Sequence, residues 1–147
     1  MSGKREDVII RGDLVDKVDV VVIDDDAGVR WVLQELFSMA DISCMHAESG
    51  HEGIQLVSKY RPPLAIVDIK LGAMNGLEVA RCIYRECKQI KILFITGYSE
   101  TIEGKVDEDL PVIGILEKPF NIGEVLQQVK SVLNQAKGSA ERPVAFG

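Results

Sequence analysis

Apolar residues in this chain gather in short runs that alternate with segments of helical spacing. Five runs, at 20–23, 42–47, 64–68, 90–96 and 112–116, are rich in valine, isoleucine and leucine. Several of them end abruptly in a polar residue, as Leu64-Ala-Ile-Val does at Asp68. Short, continuous apolar runs are typical of strands that are buried on both faces of a parallel sheet. The pattern therefore predicts five buried strands.

Helices are predicted between these strands. Apolar residues recur at helical spacing over 27–39, and Asp26 is expected to cap that helix. Ser49, with Glu52 three residues later, predicts the start of a second helix, which Pro62-Pro63 ends. The remaining helices are predicted from Gly76, over a weaker stretch at 98–109, and after a cap at Asn121.

Five βα units in succession predict an α/β fold. Right-handed crossovers between parallel strands give a doubly wound, five-stranded parallel sheet with helices on both faces. At 147 residues the chain is about the size of one domain. We expect an N-terminal extension at 1–16, the folded domain at 17–137 and a flexible polar tail at 138–147.

Composition and charge exclude several classes of function. The chain carries 17 Lys and Arg against 23 Asp and Glu, a net charge of −6, without a basic cluster, so nucleic acid is not an expected partner. No apolar run approaches the roughly 20 residues that span a bilayer, and no signal peptide is evident, so no membrane role is expected. Three cysteines without CxxC spacing indicate reduced thiols and a cytoplasmic protein.

Polar side chains stand at the ends of four predicted strands: Asp24 and Asp25, Asp68, Thr96, and Lys118. The carboxyl ends of parallel strands share one edge of a sheet, where open α/β sheets bind their ligands. Carboxylates about 4 Å apart repel by roughly 4 kcal/mol at an effective dielectric constant of about 20. A proton or a hard cation such as Mg²⁺ relieves that repulsion.

This set of groups suits phosphoryl transfer. A carboxylate nucleophile at Asp68, a hydroxyl at Thr96, an ammonium at Lys118 and a cation would position and neutralise a phosphoryl group. Each residue also has a plainer interpretation. Asp68 could cap a helix, Thr96 could simply favour a strand, and Lys118 could be a solvated surface lysine.

Four motifs in this order and spacing resemble the receiver domain of two-component response regulators, over about 19–134. They are Val22-Ile-Asp-Asp-Asp26, Met74-Asn-Gly76 after the Asp68 strand, Phe94-Ile-Thr-Gly97 and Lys118-Pro-Phe120. The resemblance implies a flavodoxin-like sheet with strand order 2-1-3-4-5. It also implies a phosphoacceptor signalling protein, not an enzyme, that works with a sensor histidine kinase or a histidine phosphotransferase and a downstream protein target.

The same resemblance assigns roles to individual residues. It makes Asp68 the phosphoacceptor, Thr96 the switch hydroxyl and Lys118 the phosphate-binding ammonium. The implied ligands of Mg²⁺, with Mn²⁺ as its substitute, are Asp24, Asp25, Asp68 and the backbone carbonyl of Lys70.

Within that family, the chain is most similar to single-domain phosphorelay intermediates of sporulating bacteria. The shared features are Gly28-Val-Arg30, Ile69-Lys70, Tyr98 and Lys118-Pro-Phe-Asn-Ile122. Because Lys70 and Tyr98 are large and flank the expected phosphoryl site, we expect them to hinder water and prolong the life of an acyl phosphate.

Three positions depart from the family pattern. Leu71-Gly72 replaces the usual Met-Pro, which predicts a more flexible loop, and Asn75 replaces the commoner aspartate before Gly76. Ile115 stands where many receivers have a Tyr or Phe that turns inward on activation. A switch in this chain would then rely on repacking of Thr96 and its loop.

The first helix offers a candidate docking patch. It carries three large apolar residues, Val29, Trp31 and Val32. Any of these that face outward, beside Phe120 and Ile122, would present apolar surface to a partner's helices. Equally, Val29 and Val32 could belong to the core.

Other functions remain to be weighed against a receiver. A haloacid dehalogenase-type phosphatase would use Asp24 as nucleophile and Asp26 as general acid, with Thr96 and Lys118. In this chain, however, Ala27-Gly28 stands where that class of phosphatase has Gly-Thr after the aspartates, and the phosphatase interpretation leaves Asp68 without a role. A transcription factor would require the chain to be a fragment, and a phosphate-independent scaffold would not need a complete acceptor site.

Overall fold

The computed structural model describes residues 17–97 and 106–145, with 137–145 described as backbone alone. The strands are β1 Val20–Ile23, β2 Cys44–Ala47, β3 Leu64–Asp68, β4 Lys70–Leu71, β5 Met74–Asn75, β6 Lys91–Thr96 and β7 Val112–Glu117. Five of them form one parallel sheet in the order β2-β1-β3-β6-β7, and β4 pairs with β5 alone. The helices are α1 Ala27–Met39, α2 Gly50–Tyr60, α3 Gly76–Glu86 and α4 Ile122–Ala145. The predicted fold class and strand order are confirmed.

Two apolar layers enclose the sheet, one on each face. In β1, Val21 and Ile23 pack into the layer that α2 and α3 cover, while Val20 and Val22 pack into the layer of α1 and α4. Successive side chains of a strand point to opposite faces, so a central strand in this arrangement must be apolar throughout. Every residue of β3 is buried.

Side-chain caps fix where the helices begin. The carboxylate of Asp26 accepts from the amides of Gly28 and Val29 at 2.8 and 3.4 Å, which starts α1 as predicted. Ser49 Oγ accepts from the amide of Glu52, and Asn121 Oδ1 accepts from that of Glu124, so both of these predicted caps are also confirmed.

The loop after β3 is a small hairpin that periodicity did not predict. Lys70–Leu71 (β4) and Met74–Asn75 (β5) pair antiparallel around Gly72, whose φ of 63° suits glycine. Leu71 is buried, and Asn75 Oδ1 accepts from the amide of Leu77 at 2.7 Å, which caps α3. The commoner aspartate is therefore not needed to start this helix.

Some boundaries differ from expectation. Strand β2 begins at Cys44, not at 42, because Ile42 still belongs to the turn that closes α1, where its amide bonds to the carbonyl of Phe37. Helix α4 continues to Ala145 through most of the predicted tail. The extension at 1–16 and most of the weaker helix at 98–109 lie outside the described residues, and 106–110 form bends and turns. The three-part division of the chain stays a prediction.

None of the helices in the described ranges is long and apolar enough to cross a membrane.

The start of α3 leaves no room for a side chain at Gly76. A Cβ there would lie 2.1 Å from the backbone oxygen of Asp68 and 2.7 Å from Cα of Ile69. We expect Gly76→Ala to lower the free energy of unfolding by about 2–3 kcal/mol, because backbone atoms must move. Urea unfolding would measure the change. Gly97→Ala is the matched control, since no atom lies within 4 Å of a Cβ at that position. Equal stability of the two variants would contradict the prediction.

Candidate functional site

The predicted site residues meet at the carboxyl edge of the sheet. Asp24 follows β1, Asp68 ends β3, Thr96 ends β6 and Lys118 follows β7, and these four strands are consecutive neighbours in the sheet. The amide of Lys118 donates to the carbonyl of Thr96 at 2.8 Å, which ties the end of β7 to β6. Parallel pairing thus brings together residues that are far apart in sequence.

Three carboxylates lie close to one another at this edge. Oxygen atoms of Asp24, Asp25 and Asp68 all lie within 4.8 Å of one another. Asp24 is 0% exposed and Asp68 is 4% exposed, whereas Asp25 is open to solvent. Asp25 is therefore the solvent-exposed member of this cluster.

Lys118 is the cation that faces these carboxylates. Its Nζ lies 3.1 Å from Oδ2 of Asp24 and 3.1 Å from Oδ2 of Asp68. Burial alone lowers the pKa of Lys118, but the two carboxylates outweigh that effect and the pKa is raised. Lys118 is therefore a charged ammonium, and the peptide bond from it to Pro119 is cis.

Burial and charged neighbours shift the pKa of Asp24. Burial, together with the neighbouring charge of Asp68, raises its pKa from 3.8 to about 6, although the amide of Asp26 and the ammonium of Lys118 oppose the rise. Its Oδ1 accepts from the amide of Asp26 at 2.8 Å. Its Oδ2 is buried and accepts no well-aligned hydrogen bond, so the short contact with Lys118 is ionic in character.

These groups fit a hard divalent cation. A buried carboxylate oxygen without an aligned donor, next to two more carboxylates, is the oxygen-rich, negatively charged environment that Mg²⁺ prefers. The amide of Lys70 donates to Oδ1 of Asp68 at 3.1 Å, and this leaves the metal role of the Lys70 carbonyl a prediction. The same bond, with Asn75 as the cap of α3, removes the helix-cap interpretation of Asp68.

The remaining predicted residues lie around the site. Thr96 is buried, and its hydroxyl role stays a prediction. On α1, Trp31 is 65% exposed and Val32 is exposed, whereas Val29 packs partly against the core, so the open question about the two valines has a split answer. Ile122 is exposed as well, and Ile115 is 40% exposed on β7. A docking role for these residues stays a prediction.

One contact at the site had no role in the sequence-based prediction. Nη1 of Arg30, on the first turn of α1, donates to the backbone carbonyl of Asp24 at 2.7 Å. This contact is hard to predict from the sequence, because helical spacing does not show which group the end of a long side chain contacts.

Comparison with known proteins identifies the family. Residues 20–130 match the model of the response regulator receiver domain. This chain belongs to that family. Receiver domains of this kind occur in two-component response regulators, and the family is a phosphoacceptor signalling module.

Relatives of this receiver include proteins of different lengths. Sporulation initiation phosphotransferase F of Bacillus subtilis (strain 168) is 28% identical over 114 residues, which make up 78% of this chain and 92% of that protein. DNA-binding transcriptional regulator NtrC of Klebsiella pneumoniae is 26% identical over 77% of this chain, but the match spans only 24% of NtrC. The first of these supports the similarity to sporulation phosphorelay proteins.

Solved structures show the same fold. A CheY-like response regulator receiver domain protein from Methanospirillum hungatei JF-1 superposes with a TM-score of 0.76 at 20% identity, over 84% of this chain and 99% of that one. None of the matches described here supports a haloacid dehalogenase-type phosphatase. In this receiver, moreover, the Asp26 carboxylate serves as the cap of α1.

Neutralising Asp24 should stabilise the metal-free receiver. The folded state holds the Asp24 proton more tightly than the unfolded chain, so this group's stabilising contribution is complete below about pH 4 and is lost as the pH rises through about 6. We expect Asp24→Asn to raise the free energy of unfolding at pH 7.5 by on the order of 2 kcal/mol, and the gain to disappear near pH 4.

Urea unfolding in a chelator, between pH 4 and 8, measures this effect. Asp109→Asn removes a carboxylate that is exposed to solvent and is the matched control, with no comparable gain. An Asp24→Asn protein that is no more stable than wild type at pH 7.5 would contradict the prediction.

Proposed function

We propose that this receiver accepts a phosphoryl group on the carboxylate of Asp68 in a Mg²⁺-dependent reaction, with a histidine kinase phosphohistidine as donor. The observation that carries the proposal is the placement of Lys118 Nζ at 3.1 Å from Asp68, beside the cluster of three carboxylates. An oxygen of Asp68 attacks phosphorus, the phosphorus–nitrogen bond of the donor breaks, and the histidine nitrogen keeps the electron pair.

Lys118 neutralises charge during this transfer. Its ammonium contacts Asp24 and Asp68 at 3.1 Å, so a modest movement takes it to an oxygen of the incoming phosphoryl group. The buried Thr96 at the neighbouring strand end supplies a hydroxyl for a second phosphoryl oxygen. Lys70 holds one oxygen of Asp68 through its amide, which orients the carboxylate.

Asp24, Asp25, Asp68 and the carbonyl of Lys70 are the proposed ligands of the cation, with Mn²⁺ as an alternative to Mg²⁺. The chemistry that the bound cation supplies is neutralisation of charge on the carboxylates and on the phosphoryl oxygens. Two observations support this ligand set. The three carboxylates lie close together, and Oδ2 of Asp24 accepts no well-aligned hydrogen bond.

The phosphorylated receiver is proposed to act through protein partners. It would bind a downstream target or pass the phosphoryl group to a histidine phosphotransferase, as the similarity to sporulation initiation phosphotransferase F supports. The DNA-binding function in the name of NtrC belongs to that longer protein. With a net charge of −6, this chain is proposed to bind neither nucleic acid nor membrane, and a cytoplasmic location stays a prediction.

Labelling with a small acyl-phosphate donor tests the phosphoacceptor directly. We expect one phosphoryl group per chain, formed only with Mg²⁺, and complete loss of label in Asp68→Asn, which lacks the nucleophile. Asp26→Asn is the matched control, because asparagine caps a helix as well as aspartate does and the label should be unchanged. Normal labelling of Asp68→Asn, or loss in Asp26→Asn, would sink the assignment.

Lys70 should prolong the life of the acyl phosphate. Lys70 is exposed and its backbone amide bonds to Asp68, so its side chain is proposed to hinder a water that attacks the acyl phosphate. We expect Lys70→Ala to speed loss of the phosphoryl group several-fold, with Lys91→Ala, at the opposite end of the sheet, as the unaffected control. A filter assay of the remaining label over time measures both rates. Equal decay in Lys70→Ala and wild type would refute this role.

A further inference from the structure

Asp24 has a polar neighbour at each of its backbone and side-chain polar atoms. Its amide donates to the carbonyl of Ala47 at 3.1 Å, and its side-chain oxygens face the amide of Asp26 and the ammonium of Lys118. Its carbonyl accepts from Nη1 of Arg30 at 2.7 Å. Three of these four contacts come from the backbone or from the site itself. The Arg30 bond comes from a helix that otherwise contributes no group to the site.

The Arg30 side chain is committed to that carbonyl. It is only 16% exposed, and the nearest carboxylate oxygen with which it pairs, on Glu48, lies 4.0 Å from Nη2 and belongs to a side chain that is 73% exposed. An exposed pair at that distance contributes little. The short, charge-assisted bond to the Asp24 carbonyl is therefore the contact that fixes the guanidinium.

That carbonyl belongs to the peptide that joins Asp24 to Asp25. A peptide unit is planar, so fixing its oxygen fixes the direction of the following amide and the position at which the Asp25 chain begins. Two of the three clustered carboxylates flank this one peptide. We propose that Arg30 is a positioning residue that sets the spacing of the Asp24 and Asp25 carboxylates for a divalent cation.

This inference rests on the proposed metal site, and it makes a prediction of definite sign. A guanidinium near a cation site repels the cation, so by charge alone the removal of Arg30 would tighten Mg²⁺ binding. Positioning has the opposite consequence, because groups that orient metal ligands typically change metal affinity at least tenfold when they are lost. The sign of the change therefore separates the two effects.

Mg²⁺ titration of the full chain by calorimetry provides the test. Arg30→Met keeps the apolar stem of the side chain but has neither donor nor charge, and we expect it to weaken Mg²⁺ binding about tenfold. Arg30→Lys keeps a charged donor and should recover most of the affinity. Arg81→Met, which breaks an ion pair with Asp107 on α3's side of the molecule, is the matched control and should bind like wild type.

A second variant and a second measurement protect the test from a folding defect. Arg30→Gln is too short to reach the carbonyl, so it should show the same weakening if Arg30→Met does not fold. Unfolding curves in chelator establish that each variant used is folded. Phosphoryl labelling at saturating Mg²⁺ should return to the wild-type level in the folded variants, because Arg30 is proposed to act through the metal ligands and not on the phosphoryl group.

The outcomes are distinguishable. If wild type does not bind Mg²⁺, the proposed metal site fails, and this inference fails with it. If wild type binds and the Arg30 variants bind equally well or more tightly, the inference alone is overturned. It is also overturned if labelling stays low at saturating Mg²⁺, since Arg30 would then contact the phosphoryl group itself.

Discussion

Asp24 and Asp68 are both buried at the carboxyl edge of the sheet, and both contact the ammonium group of Lys118. The electrostatics of the candidate site depend on this arrangement. Lys118 lies equally close to both, but one positive charge does not balance three clustered carboxylates. The pKa of Asp24 is raised mainly because the carboxyl group is buried, and the negative charge of Asp68 raises it further. The site thus has excess negative charge and a buried Asp24 oxygen, Oδ2, without a well-aligned hydrogen bond, and both features favour binding of a cation.

The sheet supplies the rigidity that such a site requires. Strands β1 and β3, which carry Asp24 and Asp68, are buried over their whole length between two apolar layers. Burial of that much apolar surface offsets the cost of holding like charges together. The bond from the Lys118 amide to the Thr96 carbonyl then extends the same framework to the edge where the lysine lies.

The two ends of the segment that follows Asp68 lie in close contact. Gly76 approaches the backbone of Asp68 so nearly that a methyl group has no space, and the amide of Gly76 donates to the carbonyl of Ile69 at 2.7 Å. These two contacts close the β4–β5 hairpin at its base, and Leu71 of β4 is its buried residue. Leu71-Gly72, which stands where the family usually has Met-Pro, thus belongs to a paired turn, and the Lys70 amide just before it holds Asp68.

Much of the fold could be predicted from the sequence, and so could the meeting of the strand-end residues at one edge of the sheet, because apolar runs, caps and strand ends are local patterns. Apolar runs gave β1 and β3 at their observed bounds, and capping residues such as Asp26 and Ser49 gave the starts of α1 and α2. Strand-end residues had to meet once the strands were parallel. Only the tertiary structure decided the distances between the site residues and the burial of Asp24. It also decided the hairpin of two-residue strands and the bond from Arg30 to the Asp24 carbonyl. Periodicity records which face a residue occupies, whereas a desolvated charge, a two-residue strand or the end of a long side chain is fixed by neighbours that are remote in sequence.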